Sequence, residues 1–306
     1  MIYTLTLNPA IDYFVNVDEF ILHKTNRSYA ESLRAGGKGI NISQVLNNLK
    51  IKNKAICLIA GSSGEIIKKD LISKEIDYEL INIKEGFNRI NLKILNYDGT
   101  EINGSGPCVS ANEQKELFNY LNKLKEGDLL FLSGSIPKGL STSIYKEIIE
   151  YLSPKGVMIA LDSTNESLKE ALSAKPFIIK PNKDEVEEIF NVKINNSKEL
   201  VSYATKLKEM GARNVLVSYG GHGSLLITEE NQLYMAVPPK GKVVNSVGAG
   251  DSMLAGFMIH YLQHKDYKEA LRYSLACGSA SAFSEDFLNE AKVNELIDKV
   301  VIKDAH

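Results

Sequence analysis

The sequence predicts an α/β fold with a largely parallel central sheet, and two observations carry that expectation. Short apolar or β-branched runs recur at residues 2–7, 54–60, 129–132, 157–161, 177–179, 214–218 and 224–228, each the length of a buried strand. Between most of them lie segments with helical apolar spacing, at 39–49, 65–75, 111–125, 142–152, 184–190 and 197–210. Strand and helix alternate, an order that makes strands parallel and puts helices on both faces of the sheet.

Taken in order, the elements begin at once. MIYTLTLNPAID has neither the basic start nor the long apolar stretch of a leader peptide and reads as a strand from residue 2. Two stretches then break the alternation. Residues 13–34 and 88–103 contain the alternating runs YFVNV and INLKILNY, and the second ends in Asp98-Gly99, a hairpin-forming dipeptide. Both follow main-sheet strands, so they read as a small β lid built from two excursions of one domain spanning residues 1–306. No Pro- or Ser-rich linker divides the chain. The last third turns helical, with one helix at 249–264, carrying Leu254, Phe257, Met258 and Tyr261 on one stripe, and another at 267–284.

Composition sets the outer limits. The 36 Lys and Arg against 38 Asp and Glu leave a net charge of −2, which excludes the basic footprint of a general nucleic-acid binder. With 44% apolar and 24% charged residues and no biased tract, the chain has material for a large core and is neither disordered nor fibrous. Its longest apolar clusters, 129–132 and 157–161, fall far short of the roughly 20 residues that span a bilayer. Cys57, Cys108 and Cys277 are odd in number and widely spaced, so reduced, mostly buried thiols and a cytoplasmic location are expected.

Four glycine- or turn-rich segments carry possible chemistry. In Ser246-Val247-Gly248-Ala249-Gly250-Asp251-Ser252, glycines at a helix start let N–H groups approach an anion, and the helix dipole adds about half a positive charge there. Asp251 is either an ordinary first-turn cap or a base for a hydroxyl nucleophile. Gly36-Gly37-Lys38-Gly39-Ile40-Asn41 stands where an extended run becomes a helix; it is a plain turn or, through Lys38 and Asn41, a holder of an anionic, hydroxylated ligand. Asp12, read as lying at the carboxyl end of the first strand, is a turn residue or an acceptor for sugar hydroxyls. In Lys180-Pro181-Asn182-Lys183-Asp184-Glu185, Asn182 and Glu185 have capping-box spacing, which is compatible with a water-mediated Mg²⁺ contact from Glu185. The glycine-rich run 217–224 is a hairpin or a nucleotide platform. Arg89 and Arg27 are surface arginines or phosphate ligands. His260 and His264 share metal-ligand spacing but lie off the apolar stripe without supporting context, and solvent-facing side chains are expected.

Together and in this order, TLNPAID, AGGKGIN, RIN at 89–91, LSGSIPKG at 132–139, KPNKDE at 180–185 and SVGAGDS at 246–252 resemble the PfkB, or ribokinase-like, carbohydrate kinases. The likeness is to their phosphosugar branch of 1-phosphofructokinases and tagatose-6-phosphate kinases and spans nearly the whole chain. It implies a three-layer fold with a discontinuous β lid, ATP as co-substrate, Mg²⁺ as cofactor, and a homodimer paired through the lid. It implies Asp251 as base and Gly248, Ala249 and Gly250 as anion hole. Asp12, Gly37, Lys38, Asn41, Arg89 and Arg27 are implied to hold the sugar phosphate. Asn182, Ser218, Gly220, Gly223 and Ser246 are implied to border the nucleotide, with Glu185 on Mg²⁺ through water. The expected reaction converts D-fructose 1-phosphate to the 1,6-bisphosphate, with tagatose 6-phosphate or fructose 6-phosphate as alternative acceptors and a non-enzymatic sugar-phosphate sensor as the reading from another class. The chain departs from the pattern at YGGHG, where a GADG-like turn is usual, at Asn88, where Thr is common, and after residue 251, where a Gly-rich turn is missing.

Overall fold

In the computed structural model, which describes residues 1–97 and 100–304, the chain opens with β1 (Ile2–Thr6) and leaves at once for two antiparallel strands, β2 (Ala10–Val17) and β3 (Ser28–Gly36). It returns through α1 (Lys38–Asn48), β4 (Asn53–Ala60), α2 (Gly61–Ser73) and β5 (Tyr78–Ile83), and leaves again for β6 (Arg89–Ile94) and β7 (Glu101–Asn103). The Asp98-Gly99 turn lies outside the described residues. α3 (Ala111–Leu121), β8 (Leu129–Ser133), α4 (Ile144–Leu152), β9 (Met158–Asp162), α5 (Asn165–Leu172), β10 (Ile178–Ile179), α6 (Lys183–Phe190) and α7 (Ser197–Glu209) continue the alternation. β11 (Asn214–Ser218), β12 (Ser224–Ile227) and β13 (Leu233–Val237) then run without helices between them, followed by α8 (Ala249–His264), α9 (Tyr267–Ala282), α10 (Glu290–Ile297) and β14 (Val301–Asp304).

The main sheet has the order β14-β13-β12-β11-β10-β9-β8-β1-β4-β5, parallel from β11 through β5 and antiparallel beyond β11. Alternation along each strand sends side chains to two cores, the arrangement a doubly covered sheet requires. Leu130 and Leu132 join α3 to α7 on one face, whereas Leu129 and Phe131 pack with α1, α8, α9 and α10 on the other. The α/β expectation therefore holds. α8 is buried almost all round, so its expected single stripe underestimates its contacts. Among the described residues, no helix is long and apolar enough to cross a membrane. Cys57 and Cys277 are buried free thiols, and Cys108 is exposed rather than buried.

A second sheet, ordered β3-β2-β6-β7, arises from the two excursions. The register Asp12↔Asn91 and Asp12↔Arg34 gathers polar residues on one face, while Tyr13, Leu33, Leu92 and Ile102 share the other.

Candidate active site

The order of the main sheet creates the crevice. From β1 the chain builds outward through β4 and β5, then returns to β8 on the other side of β1 and continues to β11. The segments after β1 and β8 diverge, and open parallel sheets take ligands at such a switch point. Here the crevice is a cavity of about 290 Å³. Asn8 lines it from the β1 end, Ser133, Gly134 and Ser135 from β8, and Ser163 and Thr164 from β9; Gly37 and Lys38 enter from α1, Arg89 from the lid and Glu185 from α6.

α8 presents an open N-terminus. Gly248 is its N-cap with φ +77°, and a Cβ there would stand 2.2 Å from the Phe287 ring, so only glycine fits. Among the described residues the N–H groups of Gly248, Gly250 and Asp251 have no acceptor, leaving donors free where the helix dipole is positive. Asp251 caps nothing. It is buried, and its Oδ2 accepts a 2.8 Å hydrogen bond from Asn41 Nδ2. Burial, followed by repulsion from Asp162, pushes its carboxyl up to about 6, against the pull of Lys38, the Asn41 hydrogen bond and Lys180.

A charged network adjoins this carboxylate. Lys38 Nζ donates to Asp162 Oδ1 at 2.7 Å and lies 4.0 Å from Glu185 Oε1; Lys180 Nζ stands 3.1 Å from Asp162 Oδ2. Lys180 also lies 3.0 Å from where a Cβ on Gly250 would be, so its ammonium abuts the start of α8. Burial alone would lower the Lys38 pKa, yet the carboxylates of Asp162, Asp251 and Glu185 outweigh it and hold it raised. Burial would likewise raise Asp162, but Lys180 and Lys38 prevail and keep it low. Glu185 is raised, chiefly by burial. Sequence reasoning assigned no role to Asp162 or Lys180; the available signal was their place at the carboxyl ends of β9 and β10.

At α6 the capping box forms in full: Asn182 N–H donates to Glu185 Oε2 and Glu185 N–H to Asn182 Oδ1, both at 2.8 Å. That occupies one carboxylate oxygen and leaves Oε1 toward Lys38. Ser218 N–H donates to the Pro181 carbonyl at 3.1 Å, which seats the β11–β12 turn beside the start of α6. The turn is a hairpin with Gly220 at φ +52° and Gly223 at φ +105°. Ser246 is exposed ahead of α8, its carbonyl accepting the Ala249 N–H at 3.2 Å.

The residues expected around the sugar phosphate separate into groups. Gly37, Lys38 and Arg89 share the cavity wall. Arg89 Nε donates to the Asn8 carbonyl at 3.1 Å; burial lowers its pKa, opposed by Asp12 and Glu101. Asn41 is held against Asp251 instead. Asp12 lies on lid strand β2, not at the end of β1, because the first strand stops at Thr6 before Pro9; its Oδ1 accepts from Asn91 Nδ2 at 2.9 Å. Arg27 is exposed ahead of β3 and lines no part of the cavity. His260 departs from the expected solvent-facing position: it is half-buried because α8 packs on α9, with ring centroids 4.5 Å from His264 and 5.5 Å from Tyr273.

Comparison with known proteins gives a consistent set. A family model described as pfkB family carbohydrate kinase matches residues 5–289. The chain is 41% identical over 302 residues to a 1-phosphofructokinase of Bacillus subtilis, covering 99% of each chain. It is 34% identical to a tagatose-6-phosphate kinase of Staphylococcus epidermidis, again over 99% of each. The crystal structure of a putative phosphofructokinase from Staphylococcus aureus superposes with TM-score 0.86 at 34% identity, covering all of both chains.

Proposed function

Because the chain belongs to the pfkB family of carbohydrate kinases, we propose that it transfers the terminal phosphoryl group of ATP to a hydroxyl of a ketohexose phosphate, foremost D-fructose 1-phosphate, giving fructose 1,6-bisphosphate. The observation that carries this reading is the buried carboxylate of Asp251 set beside the open N–H groups of Gly248 and Gly250. Phosphoryl transfer asks for an oriented hydroxyl, a proton acceptor and charge neutralisation more than for covalent chemistry. Asp251 accepts the hydroxyl proton, and its pKa near 6 suits a base working close to neutrality. Asn41 fixes which carboxylate oxygen is free, and the α8 N–H groups neutralise phosphoryl oxygens. Arg89, whose Nη groups have no partner among the described residues, holds the phosphate the sugar already carries.

The donor set fits Mg²⁺. Glu185 Oε1 is a hard oxygen at the cavity wall with its companion oxygen fixed by the capping box, and Mg²⁺ is commonly held by one or two carboxylates, waters and substrate phosphates. When bound, the ion supplies charge neutralisation on the nucleotide phosphates. Asn182, Ser218, Gly220, Gly223 and Ser246 form the nucleotide border in this reading, and residues 1–306 act as one catalytic unit with its lid. Support for a homodimer comes from the outer lid face, where Leu33, Ile90 and Ile102 are 55%, 46% and 63% exposed. A cytoplasmic location accords with ATP use and free thiols.

Greater identity to the 1-phosphofructokinase than to the tagatose-6-phosphate kinase supports fructose 1-phosphate over tagatose 6-phosphate, the alternative acceptor. A coupled ADP-release assay with fructose 1-phosphate, fructose 6-phosphate and tagatose 6-phosphate tests the reading. Highest kcat/KM with fructose 1-phosphate is expected; sugar-phosphate binding without ADP release from any of them makes the protein a sensor.

A further inference from the structure

Resting on the kinase reading, the geometry points to Lys38 as the cation for the phosphoryl group in transit, not for the phosphate the sugar already carries, with Asp162 as the residue that positions it. Asp162 ends β9 and uses its two oxygens on two ammonium groups, Lys38 at 2.7 Å and Lys180 at 3.1 Å. Lys180 lies against Gly250 at the start of α8. Through this one buried carboxylate, Lys38 is tied to the helix terminus whose free N–H groups mark where a transferred phosphoryl group must lie.

The placement of the cations separates the two phosphates. Lys38 is linked through Asp162 and Lys180 to the start of α8, beside the open N–H groups. The phosphate that the sugar already carries needs a cation outside this chain of contacts. Arg89 offers it another seat: it is tethered to the Asn8 carbonyl and makes no ion pair with these carboxylates. Ser133, whose buried Oγ has no partner among the described residues, lines the same cavity. Lys38 keeps 33% of its side chain exposed and gives one hydrogen bond, to Asp162, leaving two of its three donors for phosphoryl oxygens. In the step itself the acceptor hydroxyl gives its proton to Asp251 while its oxygen bonds the γ-phosphorus. The bond from that phosphorus to the β–γ bridging oxygen breaks and ADP leaves, and Lys38 only donates hydrogen bonds.

Lys38→Ala separates the two assignments. Measured with fructose 1-phosphate, or with tagatose 6-phosphate if only that sugar is turned over, kcat should fall by about 10²-fold or more, as when an anion-hole donor is removed. The calorimetric Kd for the sugar phosphate should stay within about threefold, well inside the tenfold or more that losing a charge-assisted contact costs. Asp162→Asn should repeat the pattern. Should Lys38→Ala fail to fold, Lys38→Met, which keeps the apolar length of the side chain and leaves Asp162 paired with Lys180, is read in the same way. A sugar-phosphate Kd raised beyond about tenfold, or a kcat within about tenfold of the parent, overturns the assignment of Lys38. A parent protein without kinase activity overturns the kinase reading itself.

Discussion

Asn41 and Asp251, 210 residues apart in sequence, meet through a single 2.8 Å hydrogen bond from the Asn41 amide to Asp251 Oδ2. It crosses from the first turn of α1 to the first turn of α8 and joins the AGGKGIN and SVGAGDS segments into one site. The bond favours the ionised carboxylate against the burial that disfavours it.

Activity therefore depends on pH in a definite direction. A carboxylate can act as a base only when ionised, so with Asp251 in that proposed role kcat/KM should fall as pH drops through about 6. Asn41→Leu removes a hydrogen bond to the charged form and should move this acid limb upward by about one pH unit. A pH–rate profile identical to that of the parent would show that the bond does not tune the base.

Stability should run against activity at the same residue. The folded pKa of Asp251 is raised from 3.8 to about 6, so stability is fully present below 3.8 and is lost as pH rises through about 6. Near pH 7.5 ionised Asp251 costs roughly 2–3 kcal/mol, and Asp251→Asn should melt a few degrees higher than the parent. The gap should shrink as pH falls from 6 toward 4. Thermal melts across that range check this, and a variant less stable than the parent at pH 7.5 would contradict it.

Arg89→Ala should raise KM for the sugar phosphate with little effect on ATP. Losing a charge-assisted contact costs roughly 1.5–3 kcal/mol, or about tenfold to more than a hundredfold in affinity. Calorimetric titration with fructose 1-phosphate gives the number directly, and unchanged affinity would place the resident phosphate elsewhere.

The outer lid face should pair with that of a second chain. Light scattering at micromolar concentration is expected to show a dimer, and Leu33→Glu, at the centre of β3, to shift it to the 33.9 kDa monomer. A parent protein already monomeric would remove the lid from the interface.

Legibility in the sequence followed local chemistry. Buried parallel strands such as Leu129–Ser133 and capped helices such as α6 announced themselves through apolar runs and the Asn182–Glu185 spacing. β5, β13 and β14 did not, because strands near a sheet edge carry mixed residues; α5 and α10, as short as α6, lack the acidic residue three places after the N-cap that marks it. Asp12 was misplaced because Pro9 moves the chain into the lid before it is reached. Asp162 and Lys180 were missed because a lone Asp or Lys after a strand is unremarkable until the sheet order brings β9 and β10 beside α8.

Whether Asp251 takes the proton from the acceptor hydroxyl is decided by the kcat of Asp251→Asn. Asn keeps the size of the side chain but cannot accept that proton. With fructose 1-phosphate and ATP saturating, and a melt confirming the fold, kcat should fall by about 10²- to 10⁴-fold, the usual contribution of a positioned general base. A folded Asp251→Asn protein that turns over at the parental rate would contradict the account.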